Sequence, residues 1–437
     1  MKETTKQRTS TMKHITTICL LMLTASTAGA QQLLTWEDAV SEALRNNHGI
    51  AVARNSSAIA ENSAHIGNAG MLPRLDASAG ATYRGDEPAT GGETITGTAM
   101  TAGLSLGYTL FDGLGNISTF HRLQSSSFLG KLELKNSIEN TLLSVSDAYF
   151  AVARAKENLV ISEELVTISL ERLERAEKRF EYGQAVTVDV LSAQVDLRAD
   201  SVTLLNARLT FDKARRDLNV LLNQDGEAAY EVEERVPVPG EYELNGLLET
   251  AQESNTAYRM YLTNLDIAGH DLDIATSAFL PRLNLSASYG YQQNNSDLSM
   301  AFDNSLTNYS VGLTLSLNIF QGFQNSISRQ NATLRVRSGE LLAEEALLTL
   351  QASIRNAWQQ YVNSNYIYAV EQRSLQAAEL NFEKTKEQLA LGQVTTTQFR
   401  EAQLNLINIR SSISSARYDV RYQELMLQRL AGVLVQE

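Results

Sequence analysis

Four stretches of the chain alternate apolar and polar residues with a strict period of two. In 311–319, Val311, Leu313, Leu315, Leu317 and Ile319 share one face, and Gly312, Thr314, Ser316 and Asn318 the other. In 283–291, Leu283, Leu285, Ala287, Tyr289 and Tyr291 oppose Asn284, Ser286, Ser288 and Gly290. Leu75 to Tyr83 and Leu104 to Leu110 obey the same rule. Sustained alternation marks a strand with one apolar face, and it predicts strands at about 74–84, 100–111, 282–292 and 309–320. A soluble sandwich alternates as well, but three features point to a bilayer. The lengths suit the roughly 9–11 tilted residues of a crossing strand. The second face is small and polar, as a water-filled lumen requires. Tyr83, Tyr289, Tyr291 and Tyr309 stand near strand ends, where an interfacial aromatic belt lies. Four strands cannot close a barrel and open edges are not tolerated in lipid, so the chain is expected to oligomerise. Segments 84–99 and 294–307, rich in Gly, Asn, Ser, Thr and Asp, read as the loops between strands.

The rest of the pattern is helical. From about 114 to 182, and again from about 323 to 391, no proline interrupts a polar stretch rich in Ala, Leu and Glu. Nearly 70 residues at ~1.5 Å each span roughly 100 Å, which predicts coiled-coil helices. A 4-3 seam runs from Ile138 through Leu142, Val145, Tyr149 and Val152 to Phe180, broken at Lys156, Glu163 and Glu177. The same seam 209 residues later is polar at the corresponding Asn365, Gln372 and Lys386. Returning helices carry cleaner seams, from Val190 to Leu221 with Asp200 as a single polar break, and from Phe399 to Leu430. Sustained 3.5-residue seams impose left-handed packing. The turns between long and returning helices fall at Gly183-Gln184 and Gly392-Gln393. Shorter helices, about 36–70 and 242–278, lead into the strands through Pro73 and Pro281, which bias Leu72 and Leu280 away from helix. A short and a returning helix stacked end to end match one long helix in length.

These elements occur twice. MLPRLDASAGATY (71–83) returns as FLPRLNLSASYGY (279–291) at an offset of 208, and LFDGLGN (110–116) as IFQGFQN (319–325) at 209. YGQAVTVDVLSAQVDL (182–197) returns as LGQVTTTQFREAQLNL (391–406), also at 209. A repeat of half the chain means two copies of one unit, 31–223 and 242–437, joined by 224–241 with Pro237 and Pro239.

The first thirty residues stand apart. Lys2, Lys6, Arg8 and Lys13, an apolar core at 15–25 and Ala28-Gly29-Ala30 read as a secretory signal peptide cut after Ala30, with Met1 or Met12 as its start. Cys19, the only cysteine, lies inside this segment with an apolar run following it, so neither a disulfide nor a lipid anchor is expected. Beyond residue 30 no run is apolar enough for a membrane-spanning helix. The formal charge of -13 argues against nucleic acid as a partner. His48, His65, His121 and His270 are scattered without metal-site spacing. Neither a nucleophile elbow nor a phosphate-binding glycine loop occurs, so no enzyme, metal or cofactor is expected.

Long helices, paired strands and the internal repeat together resemble the TolC-like outer membrane efflux proteins over essentially all of residues 31–437. The residues that carry this are Leu72-Pro73-Arg74-Leu75 with Leu280-Pro281-Arg282-Leu283, Phe111-Asp112-Gly113 with Phe320-Gln321-Gly322, and the tip glycines Gly183 and Gly392. The resemblance implies a mainly α fold with a transmembrane β part, assembling as a homotrimer. Three chains would give a twelve-stranded β-barrel in outer-membrane lipid and an α-barrel extending into the periplasm of a Gram-negative bacterium. It implies a passive duct for efflux or type I secretion, working with a periplasmic adaptor and an inner-membrane transporter. The rival reading is a structural or adaptor-like periplasmic coiled coil without a channel. In relatives that gate with acidic rings, two aspartates lie three residues apart just after the second tip glycine. Here those positions are Gln398 and Glu401, and Asp189 is the acidic residue of the first tip. Glu401, alone or with Asp189, is expected to line the entrance; the alternative is a solvated coiled-coil face. Gly183, Gln184, Gly392 and Gln393 are expected to dock the adaptor, although a glycine there also simply permits a turn.

Overall fold

The computed structural model describes residues 33–87, 91, 94–233, 240–296 and 304–435. The expected signal peptide, Pro237 and Pro239 lie outside the described residues. In chain order the elements are β1 (Leu33–Leu34), α1 (Trp36–Asn46), α2 (His48–Ser63), β2 (Arg74–Asp86), β3 (Ile95–Phe111), α3 (Gly115–Glu181) and α4 (Thr187–Leu222). Then follow β4 (Glu231–Val232), α5 (Leu244–Ser254), α6 (Thr256–Ser277), β5 (Arg282–Ser296), β6 (Asn304–Ser316), α7 (Gln324–Ala390) and α8 (Thr396–Ala431). The chain is mainly helical. Among the described residues no helix is long and apolar enough to cross a membrane.

Two compact units cut across the sequence repeat. Of the described residues, one takes those up to His48 with those within Asn140–Glu241 and Gln359–Met426; the other takes those within Gly49–Glu139 and Tyr242–Trp358 and those from Leu427 on.

The second unit holds an antiparallel four-stranded sheet in the order β2-β3-β5-β6. Residues directly opposite one another share a face, and the register assembles the expected faces into rows. Leu75, Leu106, Ala287 and Val311 form one apolar row; Ala77, Leu104, Tyr289 and Tyr309 form the next. Asp76, Ser105, Ser288 and Ser310 form a polar row, with the Ser288 and Ser310 hydroxyls 2.8 Å apart. The apolar face has no cover in the single chain: Val311 is 74% exposed.

Strand ends differ from expectation. β2, β3, β5 and β6 reach further toward their connecting loops, to Asp86, Ile95, Ser296 and Asn304, because the main-chain ladder continues where side-chain alternation has stopped. At the other end β6 stops at Ser316, not Phe320. Among the described residues its only ladder partner is β5, which begins at Arg282 opposite Ser316 because Pro281 has no N–H to donate. β3, flanked on both sides, continues along β5 to Phe111, with an irregularity between Thr109 and Phe111.

The expected helices at 36–70 and 242–278 are each broken in two, at Asn47 and Asn255, and the first ends at Ser63. Both asparagines leave the helical region, with ψ of 124° and 120°. Each side-chain amide then donates to a carbonyl near the end of its returning helix, Asn47 to Leu221 at 3.1 Å and Asn255 to Leu430 at 2.9 Å. Asn255 also accepts from the Tyr258 N–H at 2.8 Å, an N-cap bond. The joint therefore satisfies donors and acceptors that two helix ends would otherwise leave open. Replacing Asn255 by alanine should cost about 1–2 kcal/mol, read as a lowered thermal midpoint. Next to it, Thr256 donates to the buried Glu139 at 2.8 Å. Burial pushes the Glu139 carboxyl above its usual pKa, outweighing the Thr256 hydrogen bond, Lys135 and Arg429.

In the first unit Leu142, Val145, Tyr149 and Val152 of α3 are buried, as the seam predicts. Nearer the turn the seam fails. Ser162, Leu165, Ser169 and Arg172 are buried, one residue ahead of the expected Glu163, Val166, Leu170 and Leu173. There the inward face follows polar partners on α4, not apolar spacing. β1 pairs in parallel with β4, so part of the 224–241 link is ordered against the start of the described chain. The Tyr149 hydroxyl donates to the Leu34 carbonyl at 2.9 Å and fastens that pairing to α3.

Candidate functional site

The two helical turns are built alike. Gly183 and Gly392 adopt φ of +67° and +73°, a region open to glycine and strained for other L residues. Around the first, Gln184 N–H donates to Arg179 C=O at 2.8 Å and Gly183 N–H to Phe180 C=O at 2.9 Å. Around the second, Gln393 N–H donates to Gln388 C=O at 2.9 Å and Gly392 N–H to Leu389 C=O at 3.1 Å. This is a Schellman ending that satisfies the last carbonyls of α3 and α7. Tyr182, Val186, Val188 and Leu391 stand exposed around the turns.

Asp189 and Gln398, 209 residues apart, occupy the same place in the two returning helices. Gln398 Oε1 accepts from the Thr395 N–H at 2.9 Å while the Gln398 N–H donates to Thr395 Oγ1 at 3.2 Å, a reciprocal capping box. Asp189 reaches the Val186 N–H at 3.4 Å, the same bond made more weakly. Both side chains therefore help start a helix. Glu401, one turn further on, is exposed.

A groove of about 780 Å³ lies between the two turns, lined among others by Arg172, Arg175, Arg179, Arg400, Asp189 and Asp196. Beneath it a buried polar cluster ties the hairpins together. Asp200 of α4 is 2% exposed and accepts two hydrogen bonds from Arg400 of α8, at 2.6 and 2.8 Å. It also accepts one from Ser169 of α3 at 2.5 Å. Arg172 pairs with Asp196 alongside. Phe382 and Phe399, with ring centroids 5.5 Å apart, continue the contact as an apolar cluster with Ala378 and Leu406, onto which Ile168 of α3 packs. Further along, Arg410 pairs with Glu164, Arg417 with Glu157 and Arg154 with Asp419, an ionic ladder between α8 and α3. The pairs that Arg400, Arg410, Arg417 and Arg154 make are not apparent from sequence spacing, since their partners stand 200 residues or more away. The one signal was Asp200, an acid in an otherwise apolar seam.

In each half of the sequence, the first strand of the sheet, β2 or β5, starts directly after Pro73 or Pro281. Asn116 donates to the Gly70 carbonyl at 3.0 Å, and its counterpart Asn325 to the Ala278 carbonyl at 3.3 Å, so each half locks its own junction. Among the described residues no group of three or more His, Cys, Asp or Glu is placed to hold a metal ion.

A sheet with an uncovered apolar face and two open edges, in a chain that also carries two long helical hairpins, has the elements of an outer-membrane channel protein. Residues 39–224 and 247–433 match the family model described as outer membrane efflux protein, and the chain belongs to that family. It is 23% identical over 427 residues to the outer membrane efflux protein BepC of Brucella suis biovar 1, covering 94% of this chain and 88% of the relative. It is 23% identical over 432 residues to the alkaline protease secretion protein AprF of Pseudomonas aeruginosa, covering 93% and 88%. The CmeC outer membrane channel of Campylobacter jejuni has the same fold, with a TM-score of 0.79 at 19% identity over 91% of this chain and 86% of that one. The protein is thus an outer-membrane duct for efflux or secretion, and its family and fold are those of channel proteins.

Proposed function

We propose that three copies of this chain close a twelve-stranded barrel in the outer membrane and form a passive passage through the periplasm. A periplasmic adaptor seated on the helical turns would join this passage to an inner-membrane transporter. The observation that carries the reading is the sheet, whose apolar rows need lipid and whose edges β2 and β6 need further strands. A second exposed feature supports it. Val188, Leu191, Val195, Val202, Leu205 and Leu209 form an exposed stripe at heptad spacing along α4, a face fit for a helix of another copy. The exposed apolar residues around Gly183 and Gly392 suit docking of a helical partner, with Gln184 and Gln393 beside them.

Transport by such an assembly needs no reaction. The polar rows supply a wet lumen, and the energy comes from the transporter. Glu401, exposed just past the second turn, would line the closed entrance with Asp189 near it, and acidic rings favour cations. Single-channel recording from detergent-extracted oligomers in a planar bilayer tests the duct: a small, cation-preferring conductance is expected. Material that is soluble without detergent and gives no channels would overturn it in favour of a coiled-coil scaffold. Glu401→Gln should reduce cation preference and block by multivalent cations several-fold without altering the oligomer. Unchanged selectivity and block would remove Glu401 from the entrance.

A further inference from the structure

We infer that β6 of one copy pairs with β2 of the next in a defined register, opposing Ser316 to Ser78, and that this pairing extends β6 from Ser316 to Phe320. The inference rests on the homo-oligomeric reading above and names the contact by which it is made.

The internal repeat supplies a template for the missing seam. Within the chain, the second strand of the first half, β3, pairs with the first strand of the second half, β5. The unmet edges are the second strand of the second half and the first strand of the first half. Carrying the β3–β5 register across by the repeat offsets, 209 for β3 to β6 and 208 for β5 to β2, fixes every opposition. Gly107 opposite Ser286 becomes Ser316 opposite Ser78 of the next copy, and Leu104 opposite Tyr289 becomes Leu313 opposite Ala81. Apolar residues then meet apolar and polar meet polar along the seam, whereas a slip of one residue would put every side chain on the wrong face.

Beyond Ser316 the two halves differ, as an absent neighbour requires. Tyr108 to Phe111 are strand along β5, while their counterparts Leu317 to Phe320 are not, although they continue the alternation. Leu110 is 46% exposed and Phe111 39%, but Ile319 is 92% and Phe320 71%. The Thr109 contact to Asn284 at 3.0 Å has as its counterpart Asn318 facing Asp76 of the next copy, an amide donor for a carboxylate. The junction repeats the difference. A Cβ on Gly113 would lie 2.6 Å from Leu280 Cβ and from the Ser277 carbonyl, so this glycine is needed for close approach. Around Gly322, its counterpart, nothing lies within 4 Å. The residues that would fill that space are Leu72 and Ala69 of the next copy, the equivalents of Leu280 and Ser277.

Cysteine pairs test the register directly, because Cys19 is the only cysteine of the chain. Ser78→Cys with Ser316→Cys, in full-length protein in outer-membrane vesicles treated with a mild oxidant, should give disulfide-linked dimers and closed trimers on denaturing gels. Directly opposed strand residues meet the Cα separation a disulfide needs, and diagonal ones at about 7–8 Å do not. Cross-linking should therefore exceed, by roughly tenfold or more, that of Ser316→Cys combined with Asp76→Cys or with Gly80→Cys. Either single variant should give no ladder. A ladder from an off-register pair overturns the register. No cross-link from any pair in an oligomer that remains intact on native gels overturns the β6–β2 seam but leaves the oligomer standing. No cross-link from material that is monomeric in detergent defeats the homo-oligomeric reading itself.

Discussion

Replacing Asp200 by alanine is expected to destabilise the paired hairpins by roughly 3–5 kcal/mol. Asp200 is buried at 2% exposure and is the shared acceptor for both Arg400 bonds and for Ser169. Removing it leaves the Arg400 guanidinium, itself only 15% exposed, without its counter-charge in a site that water reaches poorly. A charge stranded this way costs more than the intact pair contributes, so the double change Asp200→Leu with Arg400→Leu should recover most of the loss. Urea unfolding of the helical signal measures both. A single variant as stable as the parent would mean that the cluster carries no net weight. The same pair holds the second hairpin against the first, so its loss should also raise the conductance of the resting channel.

The second large effect is expected on the sheet. Val311 sits midway along β6, opposite Ala287, and is 74% exposed in the single chain. If that face meets lipid, Val311→Arg places a cation near the bilayer midplane and should cost about 2–4 kcal/mol. Gly312→Arg, one residue on and on the polar face, should instead change ion selectivity with little loss of folding. Refolding into lipid vesicles across a urea series separates the two. Equal tolerance of both changes would mean that the apolar face is not a lipid face.

Much of this fold is legible in the chain, and the reasons are local. The long helices, expected at about 114–182 and 323–391, run Gly115–Glu181 and Gln324–Ala390. They are bounded by glycines whose positive φ ends a helix whatever surrounds it. The strand faces are legible because alternation depends on the side chains of a single segment. What escaped depends on distant partners. Asn47 and Asn255 break their helices because carbonyls of Leu221 and Leu430 stand ready to receive their amides, and asparagine alone does not announce a break. The inward face of α3 near the turn follows Asp196 and Asp200, which no seam rule weighs. At the candidate entrance the sequence located Asp189, Gln398 and Glu401, but only the structure assigns the first two to capping.

The two equivalent turns are not equally charged: Asp189 answers to Gln398, and Ser192 to Glu401. In the trimer proposed above, a ring of six positions built from a single-repeat chain would change at all six with one mutation. With two repeats fused in one polypeptide, a mutation would alter three and leave the alternate three untouched. The charge of such a mouth would be tunable in steps of three, and the two kinds of turn would be free to specialise, one for holding a partner and the other for filtering what passes.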